Sequence, residues 1–181
     1  MSTYLVMSDT HDAIESLPRI KNVIKELGIS TMIHLGDYTS PFTLTEILKL
    51  GDVNFIGLLG NNDGDKVKLM EIGQGKLNEQ PLELRIGKYE AVAIHGFKTP
   101  DLTKKVVYAL VSSNYYNIVL YGHTHQYDLR VSNKVLIMNP GTLAGYLSGR
   151  KSYGVINLKL RVAEVRDLES NTVLARVNLP D

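Results

Sequence analysis

Five times along this chain a short β-branched or apolar run stops at a polar cluster of Gly, Asp, Asn or His, and no other feature limits the fold as much. The runs over 4–8, 31–35, 53–59, 89–95 and 118–121 read as strands. They end at Asp9-Thr10-His11, Gly36-Asp37, Gly60-Asn61-Asn62-Asp63, His95-Gly96 and Gly122-His123-Thr124-His125. Helical spacing fills the intervals. Leu17, Ile20, Ile24 and Leu27 predict a helix over 14–27 with Pro18 in its first turn and Gly28 at its end. Ser40-Pro41 caps a second helix through 50, and a short one is expected over 66–72. Thr99-Pro100 opens a fourth through 113, with Leu102, Val106 and Leu110 expected on one face.

Residues 82–86 alternate and Gly87-Lys88 turns the chain into 89–95, which predicts a hairpin. Beyond 128 only strands are expected: 128–131, 134–138, 153–160, 162–167 and 173–178, with a loop over 140–152. Alternating strands and helices followed by a run of strands imply an α/β core of two packed sheets with helices on the outer faces. Ligands of open α/β sheets bind beyond the carboxyl ends of strands, where all five polar clusters lie.

Composition bounds the function. A chain of 181 residues that is 44% apolar builds one core, so a single domain over 1–181 is expected. Twenty basic against 19 acidic residues leave a net charge of +1, too little to hold nucleic acid or an anionic membrane by its overall field. Ten tyrosines are scattered without a basic stripe, so no extended nucleic-acid surface is indicated. No apolar run reaches the ~20 residues of a membrane span, and a soluble cytoplasmic protein is expected. Cysteine is absent, so a metal site must use nitrogen and oxygen.

Each cluster alone has an ordinary explanation. Asp9 can cap the following helix, Asp37 can be a turn residue, Asn61 can take a left-handed conformation, and His95 can be a satisfied histidine at the end of a buried strand. Together they are harder to dismiss, because four of the five histidines occupy strand ends beside Asp9, Asp37 and Asn61. Strand alternation predicts that Asp9 and His11 point to one side of the sheet, and that His123 and His125 offer two nitrogens on one face. Imidazole with carboxylate suits zinc, manganese, iron or nickel.

These motifs, in this order, resemble the calcineurin-like metallophosphoesterases. The short length and the Asn139-Pro140-Gly141-Thr142 segment are similar to the family's small prokaryotic phosphodiesterase branch. The resemblance implies a sandwich of two mixed sheets flanked by helices, with two divalent ions at one rim. It assigns Asp9, His11 and His125 to one ion, Asn61, His95 and His123 to the other, and the carboxylate of Asp37 to both. It further implies hydrolysis of a phosphoester, a diester before others, by a metal-bridging hydroxide without a protein nucleophile. Manganese is the expected metal, with nickel, iron, zinc and cobalt as alternatives. Two divalent ions outweigh the two carboxylates, so the site attracts anions although the chain is nearly neutral.

Two positions depart from the family pattern. Asn62 stands where many members have a leaving-group acid, and asparagine cannot be one. Phe97 stands where small relatives often carry a further histidine, and reads as a packing residue under the rim, with stacking on a base or aryl group as the alternative. His34 is expected to be buried near the site, Asp12 and Asp63 to act as turn or cap residues, and Arg150-Lys151 to be solvated surface or to reach a substrate phosphate. The same branch resembles the retromer scaffold subunit, so the alternative is a protein-interaction scaffold. A one-metal hydrolase is the weaker rival. An edge strand at 82–86 would serve a small homo-oligomer, although Glu83 and Arg85 also guard against pairing.

Overall fold

The computed structural model describes residues 2–181. Strands β1 (Thr3–Met7), β2 (Thr31–His34), β3 (Asn54–Leu58) and β4 (Leu77–Asn78) alternate with helices α1 (Leu17–Leu27), α2 (Pro41–Leu48) and α3 (Lys66–Gly73). The chain continues through β5 (Leu82–Ile86), β6 (Tyr89–Ile94), α4 (Pro100–Ser112), β7 (Ile118–Tyr121), β8 (Asp128–Ser132) and β9 (Val135–Asn139). Strands β10 (Ser152–Asn157), β11 (Val162–Asp167) and β12 (Val173–Asn178) complete it. One sheet has the order β12-β11-β10-β1-β2-β3-β4 and the other β5-β6-β7-β9-β8. Both mix parallel and antiparallel pairs, as expected.

Three apolar layers hold the sheets and helices together. Alternation along β1 sends Leu5 and Met7 toward α1 and α2, where Leu17, Ile20, Leu44 and Ile47 are buried against them. Val6, Ile33 and Leu58 face the other way and meet Ala91, Ala93, Leu120 and Met138 of the second sheet. Val92, Ile94, Val119 and Ile137 on the far face of that sheet pack beneath α4. The result is a four-layer α/β/β/α sandwich. Truncating a fully buried member such as Ile20 to alanine costs about 2–5 kcal/mol.

Helix ends follow from their caps. Ser40 accepts from the N–H of Thr43, Thr99 from that of Leu102, and Gly28 closes α1 in the left-handed region at φ 58°. The α4 face differs from the expected one. Thr103, Val107 and Val111 are fully buried and Val106 and Leu110 pack partly buried beside them, while Leu102 is exposed, a shift of the face toward Thr103, whose hydroxyl is held inward by hydrogen bonds with the backbone of Phe97. Two further differences are local. The two-residue β4 pairs with β3 without any apolar run of its own, and the expected strand over 153–160 stops at Asn157, where its Oδ1 accepts from Leu160 N–H and turns the chain.

The parallel strands β1, β2 and β3 of one sheet and β6 and β7 of the other end at the same rim of the sandwich. Main-chain hydrogen bonds join their extensions: Asp9 N–H to Gly36 O, His11 N–H to Asp37 O, and Gly122 N–H to His95 O.

Candidate metal centre

Seven side chains meet at that rim. On one side lie Asp9, His11, Asp37 and His125, whose donor atoms all fall within 4.8 Å of one another. His11 Nε2 is 3.1 Å from His125 Nε2, and Asp9 Oδ1 is 3.2 Å from His125 Nε2 and 3.6 Å from His11 Nε2. On the other side His95 Nε2 stands 3.0 Å from Asn61 Oδ1, and the ring of His123 is 5.2 Å from that of His95. One atom belongs to both groups: Asp37 Oδ2 is 3.5 Å from His11 Nε2 and 3.4 Å from His95 Nε2.

The backbone that achieves this is not extended. Asp9, His11, Asp37, His123 and His125 all lie between φ 43° and 66°, a left-handed region that non-glycine residues seldom occupy. Each such conformation costs on the order of 1 kcal/mol or more, and such residues gather at functional sites. The convergence of Asp9 and His11 therefore comes from left-handed turns beyond β1, not from strand alternation. The same turns send the His123 and His125 rings to opposite groups, His123 beside His95 and His125 beside His11, which corrects the expectation that both share one face. Glycines make the close approach possible. A Cβ on Gly60 would lie 2.1 Å from Asp37 Oδ1, and one on Gly36, at φ 104°, 2.7 Å from Gly60 N.

Three of the four imidazoles are aimed by their second nitrogen. His95 Nδ1 donates to Leu35 O at 2.8 Å, His11 Nδ1 pairs with Thr39 Oγ1 at 3.3 Å, and His125 Nδ1 approaches Tyr146 O at 3.5 Å. That leaves Nε2 of these three rings facing the centre, the arrangement of metal-ligating histidines. Asp9 Oδ1 is fully buried and accepts no well-aligned hydrogen bond despite its imidazole neighbours. A buried carboxylate oxygen without a bond is costly unless a cation completes it. The donor set thus fits divalent metal.

Electrostatics point the same way. Burial alone would raise the carboxyls of Asp9 and Asp37. The His11 and His125 rings beside Asp9, and His95 and Asn62 beside Asp37, outweigh it and hold both below the usual carboxylate range. Burial disfavours charge on His95, yet Asp37 and Asp9 together push its pKa up to about 9. His123 is lowered by burial and by the field of His95. The centre draws positive charge into itself.

Around the seven lies support that sequence reasoning undervalued. Asp63 is 1% exposed, and its carboxylate accepts from the N–H groups of Gly60, Asp37 and Thr39 at 2.7, 3.0 and 2.8 Å, so it is more than a turn residue. Asn139 Nδ2 donates to Gly122 O and to Thr124 Oγ1, fixing the His123–His125 turn, and Thr142 Oγ1 donates to Asp9 O. A polar residue ending the apolar strand β9 repeats the pattern of the other clusters, and that was the available signal. His34, buried as expected, spends its hydrogen bonds away from the seven: its Nδ1 accepts from Gly36 N–H, its Nε2 pairs with Thr10 Oγ1, and its ring stacks on Tyr38.

The remaining candidates have structural duties. Asp12 accepts from Ser40 and Thr43 at the start of α2, and Phe97 packs against the α4 layer. Lys151 is engaged by Glu15 and Ser16, and Arg150 lies nearest Asp167, so neither reaches toward the centre. Asn62 donates its N–H to Asp37 Oδ1 and its side-chain amide to Asp37 Oδ2, both at 2.8 Å.

The model of the calcineurin-like phosphoesterase superfamily domain matches residues 3–161. The chain belongs to that superfamily. It is 31% identical over 156 residues to phosphodiesterase MJ0936 of Methanocaldococcus jannaschii, covering 84% of this chain and 90% of that one. A solved structure described as a novel archaeal phosphodiesterase superposes with a TM-score of 0.79 at 28% identity, covering 95% and 99% of the two chains. Vps29 of Chaetomium thermophilum shares the fold, with a TM-score of 0.75 at 16% identity over 100% of this chain and 96% of that one. Membership of this family confirms the α/β sandwich architecture and a phosphoesterase site that binds metal.

Proposed function

We propose that this chain is a phosphodiesterase with a dinuclear centre, Asp9, His11 and His125 holding one divalent ion and Asn61, His95 and His123 the other. The observation that carries the reading is the position of Asp37 Oδ2 within 3.5 Å of both His11 Nε2 and His95 Nε2, which suits a carboxylate shared between two ions. Imidazole and carboxylate donors accept several first-row metals, and manganese is put forward among them on the family resemblance. Divalent ions, when bound there, neutralise phosphoryl charge and activate water for in-line attack on phosphorus.

The protein's own share is orientation. Leu35 O and Thr39 Oγ1 fix the His95 and His11 rings, and Asp63 fixes the turn that carries Asp37. Asn62 keeps its amide on Asp37 and delivers no proton to the departing oxygen. Leaving groups that are stable as anions are therefore preferred. A diester is favoured because the 31% identical Methanocaldococcus jannaschii protein and the superposed archaeal structure are both described as phosphodiesterases.

Metal content tests the reading. Wild-type protein loaded with manganese and freed of excess is expected to retain about two ions per chain, the count of a two-metal hydrolytic site. Asp37→Asn is expected to lose both ions together. Full metal content in Asp37→Asn, or one ion in saturated wild-type protein, contradicts the shared carboxylate.

A further inference from the structure

The loop after Thr142 carries two large apolar side chains into solvent beside the Asp9, His11 and His125 group. Tyr146 is 53% and Leu147 77% exposed. The Tyr146 ring meets both His11 and His125 edge-on, its centroid 5.4 Å from each at interplanar angles of 69° and 86°. Leu147 sits at φ 65°, a conformation leucine rarely takes. Such strain persists only where surrounding structure imposes it, and here it does. Gly149 N–H closes the loop on Gly145 O at 2.9 Å, and Ser148 Oγ bonds Arg150 O at 2.8 Å. Ala144 N–H anchors it to Asp9 O, and Lys151 to Glu15 and Ser16.

A fixed tyrosine face beside a centre that attracts anions has a defined complement. The anion occupies the centre, and a flat apolar group attached to it lies against the ring. Resting on the phosphodiesterase reading above, we infer that Tyr146, flanked by Leu147, is a specificity-determining wall that packs against an aromatic group carried by the substrate phosphate. The ring is an aryl ester or the base of a nucleotide. Small alkyl esters leave the wall unused.

The test uses full-length manganese-loaded protein and anions whose binding is read by calorimetry without turnover: methylphosphonate, phenylphosphonate and thymidine 5′-monophosphate. Wild-type protein is expected to bind phenylphosphonate about tenfold more tightly than methylphosphonate, the size of one ring stacked on an aromatic side chain. Tyr146→Ala is expected to erase that gap and Tyr146→Phe to keep it. His125 retains its contact in both variants because Tyr146 supplies it through the backbone carbonyl. A Tyr146-dependent preference for thymidine 5′-monophosphate as well assigns the wall to nucleotides, and a preference for phenylphosphonate alone assigns it to compact aryl esters.

Methylphosphonate binding without any ring preference, or a gap that survives Tyr146→Ala, overturns the wall and leaves the phosphodiesterase reading standing. Equal weakening of all three anions in Tyr146→Ala overturns it too, since the tyrosine would then only brace His11 and His125. Failure of methylphosphonate to bind even with manganese present overturns both.

Discussion

The carboxylate of Asp63 holds the backbone N–H of Asp37 at 3.0 Å, and through its two other hydrogen bonds it ties the β2 turn to the β3 turn. The shared member of the two side-chain groups is thus positioned by a residue that never faces the centre. Burial and the neighbouring charge of Asp37 push the Asp63 carboxyl up, while the N–H donors pull the other way. An amide at this position offers one acceptor oxygen and turns a donor toward another donor. Asp63→Asn is expected to lower the stability of metal-free protein by about 1.5–3 kcal/mol, the cost of a broken bond to a charged group, and to weaken manganese binding. Urea denaturation and a manganese titration check this; a change below about 0.5 kcal/mol would show that the three hydrogen bonds of Asp63 do not hold the two turns together.

Asn62 sets a dependence on leaving group. With no proton donor beside the departing oxygen, turnover of aryl phosphodiesters is expected to fall steeply as the leaving group becomes more basic. Asn62→His is expected to flatten that dependence, raising turnover of phenyl esters on the order of 100-fold while changing nitrophenyl esters little. Equal slopes in the two proteins would show that proton delivery is not what position 62 controls.

His34 predicts a pH effect on stability. Burial lowers its pKa from 6.5 to about 3, the fields of Asp9 and Asp37 opposing the shift and those of His95 and His11 adding to it, and the ring sits between Gly36 N–H and Thr10. The unfolded chain takes up a proton near pH 6.5 that the folded chain refuses until about pH 3. Across that window the unfolded state binds more protons, so stability is full above the window and falls as pH drops, by about 1.4 kcal/mol per pH unit from this group. In metal-free protein the advantage of wild type over His34→Asn is expected to narrow at that slope below pH 6.5. An unchanging advantage in denaturation curves would mean that His34 is protonated in the fold.

The strand ends were legible because each is a break in an apolar run, where β-branched and apolar residues give way to Gly, Asp, Asn or His. The pairing of sheets was legible from the order of strands and helices. What the sequence did not disclose was three-dimensional in origin. His123 and His125 part company because left-handed turns replace strand alternation at φ 66° and 57°. The α4 face is shifted toward Thr103, whose hydroxyl answers the Phe97 backbone, a partner no helical period contains. Asp63 and Asn139 were underrated because their partners are main-chain groups of distant segments. Tyr146 gave no signal at all, since its meaning lies in the rings of His11 and His125.

The measurement that bears most directly on the account is the initial rate of bis(p-nitrophenyl) phosphate hydrolysis by metal-stripped protein as manganese is added, with His123→Ala as the blank. A rate that rises with manganese, saturates, and vanishes in His123→Ala is the predicted result. No turnover by wild-type protein that has bound its full complement of manganese would contradict a phosphodiesterase and favour a fold kept for protein interaction.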